Sequence, residues 1–164
     1  MSTAGIYILV PFALSGLYTN SYNHTYWTLG LNESTQKAFD FIKKNEISGN
    51  IFNNIEAKIE ADLFFKNSTT FFNRNTEKQT QLFNTLIYNS DQWNQYYIDK
   101  NINVIFFSLV NQSQDVLLFL GSQLNTGNWA IIYEEKDSKV ILMKKTPENQ
   151  QIINRFEPFS NPRN

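Results

Sequence analysis

Every Asp, Glu, Lys and Arg of this chain lies at or after Glu33, so residues 1–32 carry no formal charge while the remainder carries 14 basic and 15 acidic side chains. A charge-free, aromatic-rich stretch suits a bilayer and its interface. A stretch that interleaves charged and apolar residues suits a water-facing domain. The chain therefore divides into an apolar head, residues 1–28, and a soluble domain, residues 29–164. A total of 164 residues allows one domain with one core plus an appendage.

The head opens on the run Ala4-Gly5-Ile6-Tyr7-Ile8-Leu9-Val10-Pro11-Phe12-Ala13-Leu14. As an α-helix, residues 4–18 would rise roughly 22 Å, short of the ~30 Å hydrocarbon core. Three readings stay open: the closing part of a transmembrane helix that begins upstream, a buried core helix, and a signal peptide. The last requires a positive start, which Met1-Ser2-Thr3 lacks. Pro11 is compatible with the first, because membrane helices tolerate proline. Tyr18, Tyr22, Tyr26 and Trp27, set among Asn, Ser and Thr, fit an interfacial aromatic belt leading into water. The expected first partner is thus the lipid bilayer, met through residues 4–18.

A net charge of -1 leaves no basic footprint, so nucleic acid is not an expected partner. Cysteine is absent, which excludes disulfides and thiolate metal sites.

From Asn32 onward helical and strand periods alternate. Ser34 or Thr35 caps a helix whose Ala38, Phe41 and Ile42 share a face, and Gly49 opens the strand Asn50-Ile51-Phe52-Asn53. Ile55, Ile59 and Leu63 mark a helical face over residues 55–65, and residues 69–73 read as a second strand. A helix follows over 76–88 with Phe83, Leu86 and Ile87 inward. Ser90-Asp91 caps the next, which carries Trp93, Tyr96 and Tyr97. Residues 103–110 form the clearest core strand. Ser113 caps a helix bearing Val116, Leu117, Leu120 and Leu124, which stops at Gly127. Residues 129–134 and 139–143 make an antiparallel hairpin, and Thr146-Pro147-Glu148 starts a closing helix. Strands separated by helices imply crossovers and layered helices. The predicted fold class is α/β: a three-layer, mainly parallel, Rossmann-like sheet with a C-terminal antiparallel hairpin, preceded by an N-terminal apolar helix.

The succession Leu29-Gly30-Leu31, Ala38-Phe39-Asp40-Phe41-Ile42, Gly49-Asn50-Ile51-Phe52-Asn53-Asn54, Phe71-Phe72-Asn73-Arg74, Trp93, Asn103-Val104-Ile105-Phe106-Phe107, Trp129-Ala130-Ile131-Ile132-Tyr133 and Val140-Ile141-Leu142 resembles the C-terminal soluble domain of polytopic bacterial membrane proteins related to the GT-C glycosyltransferases. The resemblance spans nearly the whole chain. It implies a domain on the extracytoplasmic side, joined to an upstream membrane domain of the same protein. It also implies sugar-transfer chemistry in an early acidic loop outside this chain, with a sugar or polyprenyl phosphate as the ligand. Two departures bear on the site. A Gly-Tyr-Leu stretch common after the Asn pair is here Glu56-Ala57-Lys58-Ile59, and an Asp of the second strand's motif is Asn73. The first removes an easy close approach of backbone to ligand; the second removes an acid.

The residues themselves display no catalytic set. No Gly-x-Gly-x-x-Gly follows the first strand and no Gly-Lys-Ser/Thr occurs, so no cofactor is expected. His24, the single histidine, lies in the charge-free head without partners for metal or catalysis. Glu56 and Glu60 share a helix face, read as a solvated surface. Open α/β sheets bind ligands beyond the carboxyl ends of their strands. Here those ends carry Asn53, Asn54, Asn73, Arg74 and Ser108, amide and guanidinium donors suited to sugar or phosphate. Asn after a strand is equally an ordinary turn residue, and Trp93 and Trp129 fit core packing better than a sugar platform. Three functions follow: a non-catalytic extracytoplasmic domain of a glycosyltransferase-like membrane protein, a free-standing ligand-binding α/β module, or a small transferase or hydrolase whose site has no familiar motif.

Overall fold

A computed structural model describes residues 33–65, 68–73, 76–110, 112–135 and 138–156. The apolar head lies outside these residues, and with it the expected N-terminal helix, bilayer contact and aromatic belt. Among the described residues no helix is long and apolar enough to cross a membrane.

In chain order the elements are α1 (Glu33–Lys44), β1 (Asn50–Asn53), a 3-10 turn (Ile55–Ala57) running into α2 (Lys58–Phe64), β2 (Thr69–Thr70), α3 (Glu77–Tyr88), α4 (Ser90–Asp99), β3 (Ile102–Ser108), α5 (Gln114–Asn125), β4 (Trp129–Glu135), β5 (Lys139–Lys144) and α6 (Gln150–Phe156). The strands form one five-stranded sheet of order β2-β1-β3-β5-β4. β1 is parallel to both β2 and β3, whereas β5 is antiparallel to both β3 and β4. The fold class is therefore α/β, but the sheet is evenly mixed and not mainly parallel. The reason is where the hairpin enters. Its second strand, β5, pairs with β3 and its first, β4, lies outside it, so the hairpin forms the expected antiparallel edge but supplies two of the four pairings of the sheet.

Strand side chains alternate between faces, and the core divides accordingly. Phe52, Ile105, Phe107, Val140 and Leu142 pack on one face with Phe83 and Leu86 of α3, Trp93 and Tyr97 of α4, and Val116, Phe119 and Leu120 of α5. Ile51, Val104, Phe106, Ile141 and Met143 pack on the other with Ala38 and Ile42 of α1, Ala57, Ala61 and Phe64 of the α2 segment, and Ile153 of α6. The first face is dominated by aromatic rings. Phe52 alone lies within 6.0 Å, centroid to centroid, of Phe71, Phe83, Trp93, Phe107 and Phe119.

Several helices bury a different stripe from the one predicted. Ile55 and Ile59 are exposed, Ile59 by 71%, and Ala57, Ala61 and Phe64 face the core in their place, with Leu63 packed at its margin. The 3-10 turn winds three residues per turn instead of 3.6 and so rotates the stripe, and two alanines let α2 approach the sheet closely. Leu117 is likewise half-exposed, because Val116, Phe119, Leu120 and Gln123 form the inward face of α5. Asn89, not Ser90-Asp91, caps α4 by accepting from the Gln92 N–H. Gly49 has φ +128°, and a Cβ there would meet the Asn103 amide at 2.2 Å, so the turn into β1 needs a residue without a side chain.

Because Phe52 joins β1 to all three helices of the aromatic face, Phe52→Ala should lower the unfolding free energy by about 3–5 kcal/mol. Urea unfolding followed by tryptophan fluorescence measures this.

Candidate functional site

β1 is followed by the 3-10 turn and α2 on the aliphatic face, while β3 is followed by α5 on the aromatic face. The two strands are parallel neighbours, so the space beyond their carboxyl ends is where open α/β sheets place ligands. Asn53, Asn54 and Ser108 meet there and are buried, as the sequence placed them, but each is engaged with the protein itself. The Asn54 side chain donates from Nδ2 to the Ser108 carbonyl (2.8 Å) and accepts the Ser108 N–H at Oδ1 (3.0 Å). One amide side chain thus continues the β1–β3 ladder after β1 has ended. Asn53 Oδ1 accepts the Phe72 N–H at 3.1 Å: after one further main-chain bond, from the Phe71 N–H to the Ile51 carbonyl at 2.9 Å, the backbone leaving β2 turns to a side chain of β1.

A buried cluster that sequence reasoning missed completes the site. Lys139, the first residue of β5, is 4% exposed. It is drawn inward because it pairs with Ser108 across the antiparallel ladder. Its ammonium donates to Ser108 Oγ at 3.0 Å and lies 2.9 Å from Glu60 Oε2. That oxygen has no directed hydrogen bond, so charge alone holds it to Lys139. Glu60 Oε1 accepts from Thr35 Oγ1 at 2.8 Å. Glu60, read from the sequence as part of a solvated face, therefore turns inward, while Glu56 stays exposed. Nothing local distinguishes the two in sequence; the difference arises from a lysine far along the chain.

A second layer lies outside this cluster. Lys37 on α1 pairs with Glu33 (2.9 Å) and with Glu135 at the end of β4 (3.3 Å), and Tyr133 Oη donates to Glu135 Oε2 at 3.1 Å. Ser34 Oγ meets Ser138 Oγ at the hairpin turn. Burial pushes the Glu135 carboxyl up, but hydrogen bonds from Ser34, Tyr133 and Lys37 outweigh it and leave Glu135 below the usual carboxylate range. Burial and the Glu135 contact push the Tyr133 phenol well up. Three side chains of α1, Ser34, Thr35 and Lys37, are thereby engaged with α2 and the hairpin.

Asn73 is exposed and stands apart from Asn54 and Ser108, its Oδ1 held by Gln79 Nε2 at 3.0 Å. Arg74 lies outside the described residues. Trp93 and Trp129 are 1% and 2% exposed, and Trp93 Nε1 donates to Gln123 Oε1 at 2.6 Å; both are core. Among the described residues no three His, Cys, Asp or Glu side chains gather as a metal site would require. The Lys139 cluster is suited to holding an ion pair below the surface and fixing strand ends. No family model, curated protein or solved structure matches the chain.

Removing one partner of a buried pair strands the other. Lys139→Met should cost about 3 kcal/mol by leaving Glu60 uncompensated, and adding Glu60→Gln should recover part of that loss. Chemical denaturation of the two variants tests the pair. Glu135 gives a second expectation. Its folded pKa lies below the ordinary 4.5, so its contribution is present above that value and lost as pH falls through the folded pKa. Thermal melts taken from about pH 6 to about pH 3 should show acid destabilisation that is smaller in Glu135→Gln.

Proposed function

We propose that this chain is the extracytoplasmic α/β domain of a membrane protein related to the GT-C glycosyltransferases, and that it acts beside the sugar-transfer chemistry without performing it. The observation that carries this reading is the break at Glu33: all charge lies from that residue onward. In this reading residues 4–18 close a membrane helix, Tyr18 to Trp27 form its interfacial belt, and the domain is a Rossmann-like sheet whose second half is replaced by the hairpin. A supporting observation is that Asn53, Asn54 and Ser108 spend their polar atoms on one another and on Phe72 and Lys139. Leu117, Leu118 and Tyr88 are exposed on α5 and the end of α3, apolar surface of the kind an adjoining membrane domain would cover.

A small hydrolase is favoured by one contact, the 3.0 Å approach of Lys139 Nζ to Ser108 Oγ, which resembles an amine poised to take a hydroxyl proton. Glu60 engages that amine in its charged form, and with Ser108 only 3% exposed a substrate carbonyl has no approach.

The reading is tested by mixing the chain with phospholipid vesicles and sedimenting them. The full chain should travel with the vesicles, and a chain lacking residues 1–28 should stay soluble, monomeric and cooperatively folded. Aggregation of the shortened chain, with the full chain well behaved in water, would make the head a core helix. Neither should turn over a polyprenyl-linked sugar. Turnover abolished by Ser108→Ala would install the hydrolase or transferase instead.

A further inference from the structure

A cleft of about 420 Å³ opens at the amino ends of the parallel strands and shares no residue with the Lys139 cluster. Its volume falls within the range of small-ligand sites, roughly 300–1,000 Å³. The first residues of three neighbouring strands form its floor: Thr69, Asn50 and Ile102, adjacent by register. Tyr96, Asp99 and Lys100 at the end of α4 form one wall, and Asn73 after β2 closes it.

Three of the polar side chains here are anchored by one atom and open at another. Asn50 donates from Nδ2 to the Lys100 carbonyl at 2.8 Å, leaving Oδ1. Asn73 accepts from Gln79 at Oδ1, leaving Nδ2. Asp99 accepts from Gln95 at Oδ1 (2.7 Å), leaving Oδ2. Thr69 Oγ1, Tyr96 Oη and Lys100 Nζ have no side-chain partner among the described residues, and burial alone raises the Tyr96 phenol. The Tyr96 ring is held edge-on to Phe71, with centroids 5.9 Å apart and planes at 76°, which offers a fixed apolar wall next to the open polar atoms.

Donors and acceptors are thus nearly balanced, and one carboxylate offsets one ammonium. An anion would find a single cation with a carboxylate beside it. A ligand bearing several hydroxyls would find a match, because each hydroxyl both donates and accepts, while its C–H face lies on the aromatic ring. We propose that this cleft binds a neutral polyhydroxylated ligand of hexose size. The proposal rests on these side chains and not on the membrane assignment, so vesicle partition and sugar binding succeed or fail separately.

The test is saturation-transfer NMR on the full chain with glucose, galactose, mannose and N-acetylglucosamine, with glucose 6-phosphate as the anionic comparison. At least one neutral sugar should give a saturable signal. Asp99→Ala and Asn73→Ala, both at exposed positions, should each weaken it about tenfold, the effect of about 1.4 kcal/mol, with the melting temperature unchanged. Tyr96→Ala should abolish it, and Tyr96→Phe should retain part of it. No saturable signal from any neutral sugar, or binding indifferent to Asp99→Ala and Asn73→Ala, would overturn the proposal. Tighter binding of glucose 6-phosphate that depends on Lys100 would overturn it as well, by making the cleft an anion site.

Discussion

Once β5 pairs between β3 and β4, the Lys139 ammonium is carried below the surface, and a buried charge is tolerated only where it is paired and hydrogen-bonded. Ser108 from β3 and Glu60 from α2 meet that demand, and Thr35 from α1 holds the far oxygen of Glu60. Four elements that are remote in sequence are thereby fixed at one corner of the sheet. The Asn54–Ser108 clasp lies directly beside it, so strand register and charge compensation reinforce each other.

The two faces of the sheet are filled by different kinds of side chain. On one face Phe52, Phe83, Phe107, Phe119, Trp93 and Trp129 interlock at tilted, edge-on and stacked angles, the offset and edge-to-face geometries that aromatic pairs favour. On the other, Ala38, Ala57 and Ala61 bring α1 and α2 close to aliphatic strand positions. The cleft below Tyr96 lies on the aromatic face, at the end of α4 where Trp93 and Tyr97 no longer fill the gap beneath the helix.

Much of this was legible in the sequence because burial imposes a period. The inward positions Ala38 and Ile42, Phe83 and Leu86, and Trp93 and Tyr97 follow from 3.6-residue spacing, and the hairpin from two apolar runs around a polar turn. The phase of α2 was not legible, since a 3-10 turn rotates the stripe without altering the composition. Nor was the end of β2 at Thr70, because a side chain of β1 captures the next N–H but one. Of the candidate site residues, Asn53, Asn54 and Ser108 do converge, yet Asn54 and Ser108 are 54 positions apart. Their mutual satisfaction depends on register, which no local pattern encodes. Lys139 and Glu60 were hidden for the same reason: each reads as an ordinary surface charge until its partner is in place.

The pairing between β4 and β5 slips between Ile131 and Tyr133, and the opposite margin of the sheet is a strand of only two residues. A flat margin with a regular row of open N–H and C=O groups recruits further strands and seeds fibrils. Among the described residues one border is a strand interrupted by a register irregularity, and the other is too short to dock a strand. Among the described residues the sheet stops at five strands, and a bulged or two-residue border is a poor template for strand-by-strand polymerisation between copies of the chain.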